Sequence, residues 1–166
     1  MGSLTKISIR KFQSSDAQAI QVLISNIMNQ EFPQSKAAYP LDDLLDIENV
    51  YGKDGEGFFV ATNNEHIVGT VAVKREDERA ALLRRVFVDP SHRRQKIGLS
   101  LIDHAIGFCK KHGYEEIIFR TASKMDGAIR LCQAKGFHQR AKLEMGGLEL
   151  LKFVLFLDKD AALHNV

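Results

Sequence analysis

Residues 86–102 read VFVDPSHRRQKIGLSLI, and this stretch decides the fold. Val86-Phe87-Val88 is an apolar run of the kind that forms a buried strand. Asp89-Pro90 ends it, because proline fixes φ and offers no N–H. A basic segment follows, Arg93-Arg94-Gln95-Lys96, leading into Ile97-Gly98-Leu99. Ile97, Leu101, Ala105 and Phe108 then recur at helical spacing, with Ile102 and Cys109 beside them. Strand, basic turn and helix in that order aim the free N–H groups of a helix start at one point, which is how backbone binds an anion. A bland alternative is an amphipathic helix whose exposed first turn happens to be basic.

Working outward, "EEIIFRTA" after Gly113 is the next strand, so the helix starting near Lys96 joins two parallel strands in a right-handed βαβ unit. Upstream, "ISIRKF" alternates as a strand. Ser14 or Ser15 caps a helix with apolar face Ala19, Ile20, Leu23, Ile24 and Ile27, and Asp16 lies in its first turn. Phe32 to Pro40 is irregular, and "LDDLLDIENVY" reads as a short helix broken by Gly52, Gly55 and Gly57. "FFVATNNEHIVGTVAVKR" reads as a hairpin turning at Asn63-Asn64-Glu65, and "ALLRRVFV" as the next strand. Downstream, Ser123 with Asp126 resembles a capping box for a helix from about Asp126 to Lys135, closed by Gly136. Phe137–Lys142 and Leu148–Leu157 read as two last strands around Gly146-Gly147. The predicted order is β α α β β β α β α β β, with no repeat and no linker. It describes one α/β (α+β) domain over residues 1–166, with a mixed, mostly antiparallel twisted sheet flanked by helices.

Bulk properties narrow the function. The 166 residues are 45% hydrophobic and 27% charged with a net charge of +2, ordinary for a globular domain and too mild to argue for nucleic acid. No apolar run reaches membrane-span length, and no secretory h-region is visible. Two cysteines, Cys109 and Cys132, make no disulfide framework, so reduced thiols in a cytoplasmic protein are the expectation. His66, His92, His104, His112, His138 and His164 are scattered without ligand spacing, so no metal is expected. Neither the Walker pattern nor the dinucleotide glycine fingerprint is present.

"RRQKIG" resembles the acyl-CoA pyrophosphate loop of the GCN5-related N-acetyltransferase (GNAT) family, whose pattern is Q/R-x-x-G-x-G/A. Arg93 takes the first position and Gly98 the last, while Lys96 stands where the first glycine usually is. A second motif, "GAIRLCQAKGF", is similar to the family's A-x-x-L-Y-x-x-x-G-F element at Ala128, Leu131, Gly136 and Phe137. The resemblance covers nearly the whole chain. It implies a GNAT-like domain that transfers an acetyl group from acetyl-CoA, or another acyl-CoA, to a primary amine of a small molecule or peptide by direct attack. It implies cofactor contacts from Val86, Phe87 and Val88 along the strand and from Arg93, Arg94, Gln95, Lys96, Ile97, Gly98 and Leu99 around the pyrophosphate.

Cys132 replaces the family's tyrosine, whose hydroxyl acts as general acid on the leaving thiolate. Three readings stand: a small buried hydrophobe, a thiol proton donor, and a covalent acyl-cysteine. No base is evident. The strand Ala80–Val88 carries no carboxylate, and Glu31, Asp42, Glu76 and Glu78 are read as surface charges, with a water chain as the alternative. A rival reading is a non-catalytic acyl-CoA-binding or sensing domain. Acceptor identity is expected in the Gln30–Tyr51 region, and the apolar closing strand Leu148–Leu157 as an edge where a homodimer pairs.

Overall fold

The computed structural model describes residues 6–157. Seven strands form one sheet: β1 (Ile7–Lys11), β2 (Gly57–Asn63), β3 (His66–Arg75), β4 (Ala80–Val88), β5 (Glu116–Ala122), β6 (His138–Met145) and β7 (Leu148–Phe156). Their spatial order is β1-β2-β3-β4-β5-β7-β6. Among the described residues only β4 and β5 run parallel; all other neighbours are antiparallel. Four α-helices accompany them: α1 (Ala17–Glu31), α2 (Ile47–Val50), α3 (Ile97–Lys111) and α4 (Asp126–Ala134). The expected element order and mixed sheet are therefore present.

Each helix covers the sheet with the face its periodicity predicts. On one side α3 and α4 bury Leu101, Ile102, Ala105, Ile129 and Cys132 against Phe59, Val71, Leu83, Ile117 and Phe153. On the other, α1 and the turns after it bury Ile20, Ile24, Ile27 and Leu44 against Phe58, Val60, Ala72 and Phe87. This second cover stops at β4. Over β5 and β7 the same side carries only the small cluster Ala80, Ile118 and Val154.

Three expectations are corrected. "LDDLLDIENVY" is a 3-10 turn, Asp42–Leu45, followed by the single turn of α2. Ser123 does not cap α4; Met125 holds the N-cap position without a side-chain bond. The closing strand is not an edge, because β7 inserts between β5 and β6. Composition explains the swap. LELLKFVLF is apolar on both faces and buries Leu151, Phe153 and Val154, whereas HQRAKLEM is polar and exposed at every position. A strand of the first kind belongs inside a sheet and one of the second kind at its rim.

Candidate functional site

Parallel pairing between β4 and β5 is short. It joins Ala80, Ala81 and Leu82 to Glu116, Ile117 and Ile118, and then the strands diverge. The cause is local to β4. Arg85 has φ 55°, a left-handed value, and the β3–β4 register shifts between Thr70 and Ala72. This is a β-bulge, which bends and twists the strand that carries it. The Thr70 hydroxyl donates to the Arg85 carbonyl at 2.7 Å and fixes the kink. Beyond it, Phe87 and Val88 stay in register with β3, and the opposite edge of Val86–Val88 faces the wedge without a strand partner.

The wedge opens into a cleft of about 690 Å³. Its walls are the splayed halves of β4 and β5, the starts of α3 and α4, and the end of α1. Of the ten cofactor residues expected from sequence, all except Gln95 line it. The loop entering α3 is built for its shape. The Asp89 carboxylate accepts from the Ser91 N–H and hydroxyl, both at 2.9 Å, closing a turn before Pro90–His92. Arg94 (φ 67°) and Lys96 (φ 63°) both take left-handed backbone. Alternating conformations of this kind gather successive N–H groups into an anion-binding concavity. The first helical bond of α3 runs from the Ser100 N–H to the Lys96 carbonyl, so the N–H groups of Ile97, Gly98 and Leu99 have no partner within the helix.

Lys96 thus occupies the conformation that glycine takes without penalty. A Cβ on Gly98 would lie 2.6 Å from Leu131 Cδ1, so the glycine also lets α4 seat against α3.

The cleft is cationic although the whole chain is close to neutral. Arg94, Lys96, Lys124 and Arg130 line it without a carboxylate partner among the described residues. Arg93, expected to grip phosphate, has its fork on Glu31 instead, at 2.7 and 2.8 Å, while its Nε donates to the Val88 carbonyl at 3.2 Å. Glu31 ends α1, where the helix dipole disfavours a carboxylate, and Arg93 supplies the offsetting charge.

Cys132 does not reach the cleft. It has no exposed surface, and burial pushes its thiol up to about 12. Of the three readings, a side chain so placed matches the small buried hydrophobe. Its neighbour Leu131 lines the cleft in its place.

Two features escaped the sequence reading. Tyr39, in the irregular segment, lines the cleft, and its phenol oxygen accepts from the Ala122 N–H at 2.5 Å at the free end of β5. Burial raises its pKa, so the hydroxyl keeps its proton. The second is a buried cluster on the bulge. Arg85 spans Asp43, with Nε 3.0 Å from one carboxylate oxygen and a terminal nitrogen on the other, and it also donates to the Pro40 carbonyl at 2.7 Å. Tyr51 donates to Asp43 at 2.5 Å. Burial alone would raise Asp43, but the hydrogen bonds from Arg85 and Tyr51 and the charge of Arg85 outweigh it and hold the carboxyl below its usual range. The available signal was the pair Arg84-Arg85 inside an apolar strand, since a buried arginine demands a counter-charge. Among the base candidates, Glu76 is 3.1 Å from Arg120, Asp42 and Glu78 are exposed outside the cleft, and Glu31 is tied to Arg93.

Among the described residues, no group of His, Cys, Asp or Glu is arranged to hold a metal, and no helix is long and apolar enough to cross a membrane.

Residues 22–137, which include the split parallel pair and the cationic start of α3, match the Acetyltransferase (GNAT) family. The chain belongs to that family. It is 35% identical over 99 residues to the probable N-acetyltransferase camello of Xenopus laevis, an alignment covering 58% of this chain and 45% of the relative. The chain spans somewhat less than half the length of the curated relatives it matches. An acetyltransferase structure from Streptococcus agalactiae superposes with a TM-score of 0.81 at 22% identity, covering 91% of this chain and 98% of that one. The structure of yncA from Salmonella typhimurium, solved with acetyl-CoA, superposes at 0.72 and 19% identity, covering 93% and 96%.

Proposed function

We propose that the chain is an N-acetyltransferase that moves the acetyl group of acetyl-CoA onto a primary amine by direct attack. The observation that carries this reading is the continuity of the cleft, from the β4–β5 wedge to the left-handed loop at the α3 N-terminus. The loop N–H groups from Arg94 to Leu99 receive the pyrophosphate, and Arg94 and Lys96 add charge at the rim. The pantetheine arm, an amide chain, pairs with the free edge of Val86–Val88 as a short strand would. An N–H of that edge polarises the thioester carbonyl, in the manner of an oxyanion hole. As the amine attacks, a C–N bond forms and the C–S bond breaks. The amine loses a proton and the departing thiolate gains one. Tyr39 is the protonated cleft group best placed to supply it.

Camello carries the same activity in its name, and the bound acetyl-CoA in the Salmonella structure supports the donor. A non-catalytic acyl-CoA-binding domain is the second reading, favoured by the buried Cys132 and by a β4 without a carboxylate. The test is calorimetric titration with acetyl-CoA, with adenosine as control, followed by thiol release across a panel of amines. Binding with amine-dependent thiol release is expected. Binding without release would establish the second reading, and no binding at millimolar acetyl-CoA would overturn both.

A further inference from the structure

The β6 rim is unusual. None of its eight residues is buried on either face, and the hairpin it forms with β7 displays Leu143, Met145 and Phe156, each more than half exposed. An open strand edge with apolar neighbours is a template for another strand. We propose that β6 pairs antiparallel with β6 of a second copy of this chain, in a register centred on Leu143.

Hairpin geometry and charge select that register. The two-residue turn Gly146-Gly147, with φ 53° and 84°, closes on the pair Met145 and Leu148. A turn of this kind closes on a hydrogen-bonded pair, and such pairs then alternate along the ladder. Met145 and Leu143 therefore direct their backbone groups inward to β7, and Lys142 and Glu144 direct theirs outward to the open edge. A twofold pairing must join outward residues to outward residues. Centring on Leu143 places Lys142 of each copy opposite Glu144 of the other, with Leu143 beside Leu143. Shifting the centre to Lys142 sets lysine against lysine, and shifting it to Glu144 sets glutamate against glutamate. Like charges directly opposite are destabilising.

Within the hairpin one lysine serves two glutamates. Glu144 lies directly across from Glu149, a like-charged cross-strand pair. Lys142 reaches Glu149 at 3.0 Å. Lys142 bonds Glu149 and attracts Glu144 only by unbonded charge, so two carboxylates share one lysine until a second Lys142 arrives. The same pairing brings the two exposed Leu143 side chains into contact.

The test is sedimentation equilibrium of the full chain with four variants. Wild type is expected to dimerise. Lys142→Glu and Glu144→Lys should each weaken the dimer by about tenfold or more, by setting like charges opposite. The double swap should restore it, because the opposite charges return in exchanged places. Glu144→Pro removes only the outward N–H, so it should abolish the dimer while the thermal melt of the monomer shows that the fold is kept. A wild type that stays monomeric at all concentrations overturns the proposal. So does a dimer indifferent to Lys142→Glu and Glu144→Pro, since the copies would then meet elsewhere.

Discussion

Replacing Lys96 with glycine should stabilise the protein, although it deletes a long side chain. Lys96 sits at φ 63°, ψ 17° at the N-cap of α3. An L-residue in that region costs roughly 1–2 kcal/mol, and a cation at the positive end of a helix costs about 0.3–1 kcal/mol more. Glycine returns roughly 0.5–1 kcal/mol of this through the larger entropy of the unfolded chain. The net is a gain of about 1 kcal/mol, or ~2–4 °C in melting temperature for a chain of this length. Lys96→Ala is the control. It removes the ammonium but keeps the Cβ and its strain, so its melting temperature should rise less. The same pair of variants separates backbone from side chain in acetyl-CoA binding. If the loop N–H groups hold the pyrophosphate, Lys96→Gly keeps its affinity within a few-fold. If the ammonium holds it, both variants lose about 1.5–3 kcal/mol, more than tenfold. Thermal melts and calorimetric titration on the three proteins suffice. A Lys96→Gly variant that melts at or below wild type would refute the strain reasoning.

Cys132→Ala should leave turnover unchanged and cost about 1–2 kcal/mol in stability from the lost packing, whereas Tyr39→Phe should lower turnover and spare acetyl-CoA affinity; steady-state kinetics beside denaturant melts separate the two. Both thiols should resist a disulfide reagent at pH 8 until the chain is unfolded, because Cys109 and Cys132 are buried and each is pushed up to about 12. Glu31→Gln should tighten acetyl-CoA by about two- to fivefold by freeing the Arg93 fork, with a stability change below about 1 kcal/mol because the pair is partly exposed, as read by titration and melting. Asp43→Asn should cost roughly 3–5 kcal/mol, since it strands a buried guanidinium. Because the folded Asp43 carboxyl is depressed, its contribution is complete above the unfolded value and is lost as pH falls through the lower folded one. The variant's acid unfolding curve should therefore be flatter than wild type's below about pH 4.

The sequence is most legible where one periodicity dominates. The βαβ unit through Ile97–Lys111 is an apolar strand and an amphipathic helix punctuated by Asp89-Pro90 and Gly113, and every local signal agrees. The left-handed loop at the start of α3 was legible for the same reason. Strand order was not. Deciding that β7 rather than β6 sits inside the sheet requires comparing burial between two strands joined by a tight turn, and adjacency in sequence says nothing about which is the rim. The Tyr39 end of the cleft was the least legible. Tyr39 and Asp43 lie in 3-10 turns without helical or strand periodicity, and their partners, Ala122 and Arg85, are 83 and 42 residues away in sequence. The Arg93–Glu31 fork spans 62 residues and is invisible for the same reason.

The divergence of β4 from β5 has a thermodynamic consequence. A sheet normally satisfies its main chain when it folds; here β4 has no strand partner on its β5 side along Val86–Val88. A ligand that zips into the gap adds a short strand, so occupancy and conformational stability become linked quantities. At a ligand concentration a hundredfold above its dissociation constant, linkage contributes about 2.7 kcal/mol, comparable to losing or regaining a well-packed core side chain. Hydrogen exchange should register this as ligand-dependent slowing concentrated on the amides of Val86–Val88 and the first turn of α3. The resistance of the chain to unfolding would then rise and fall with the supply of that ligand.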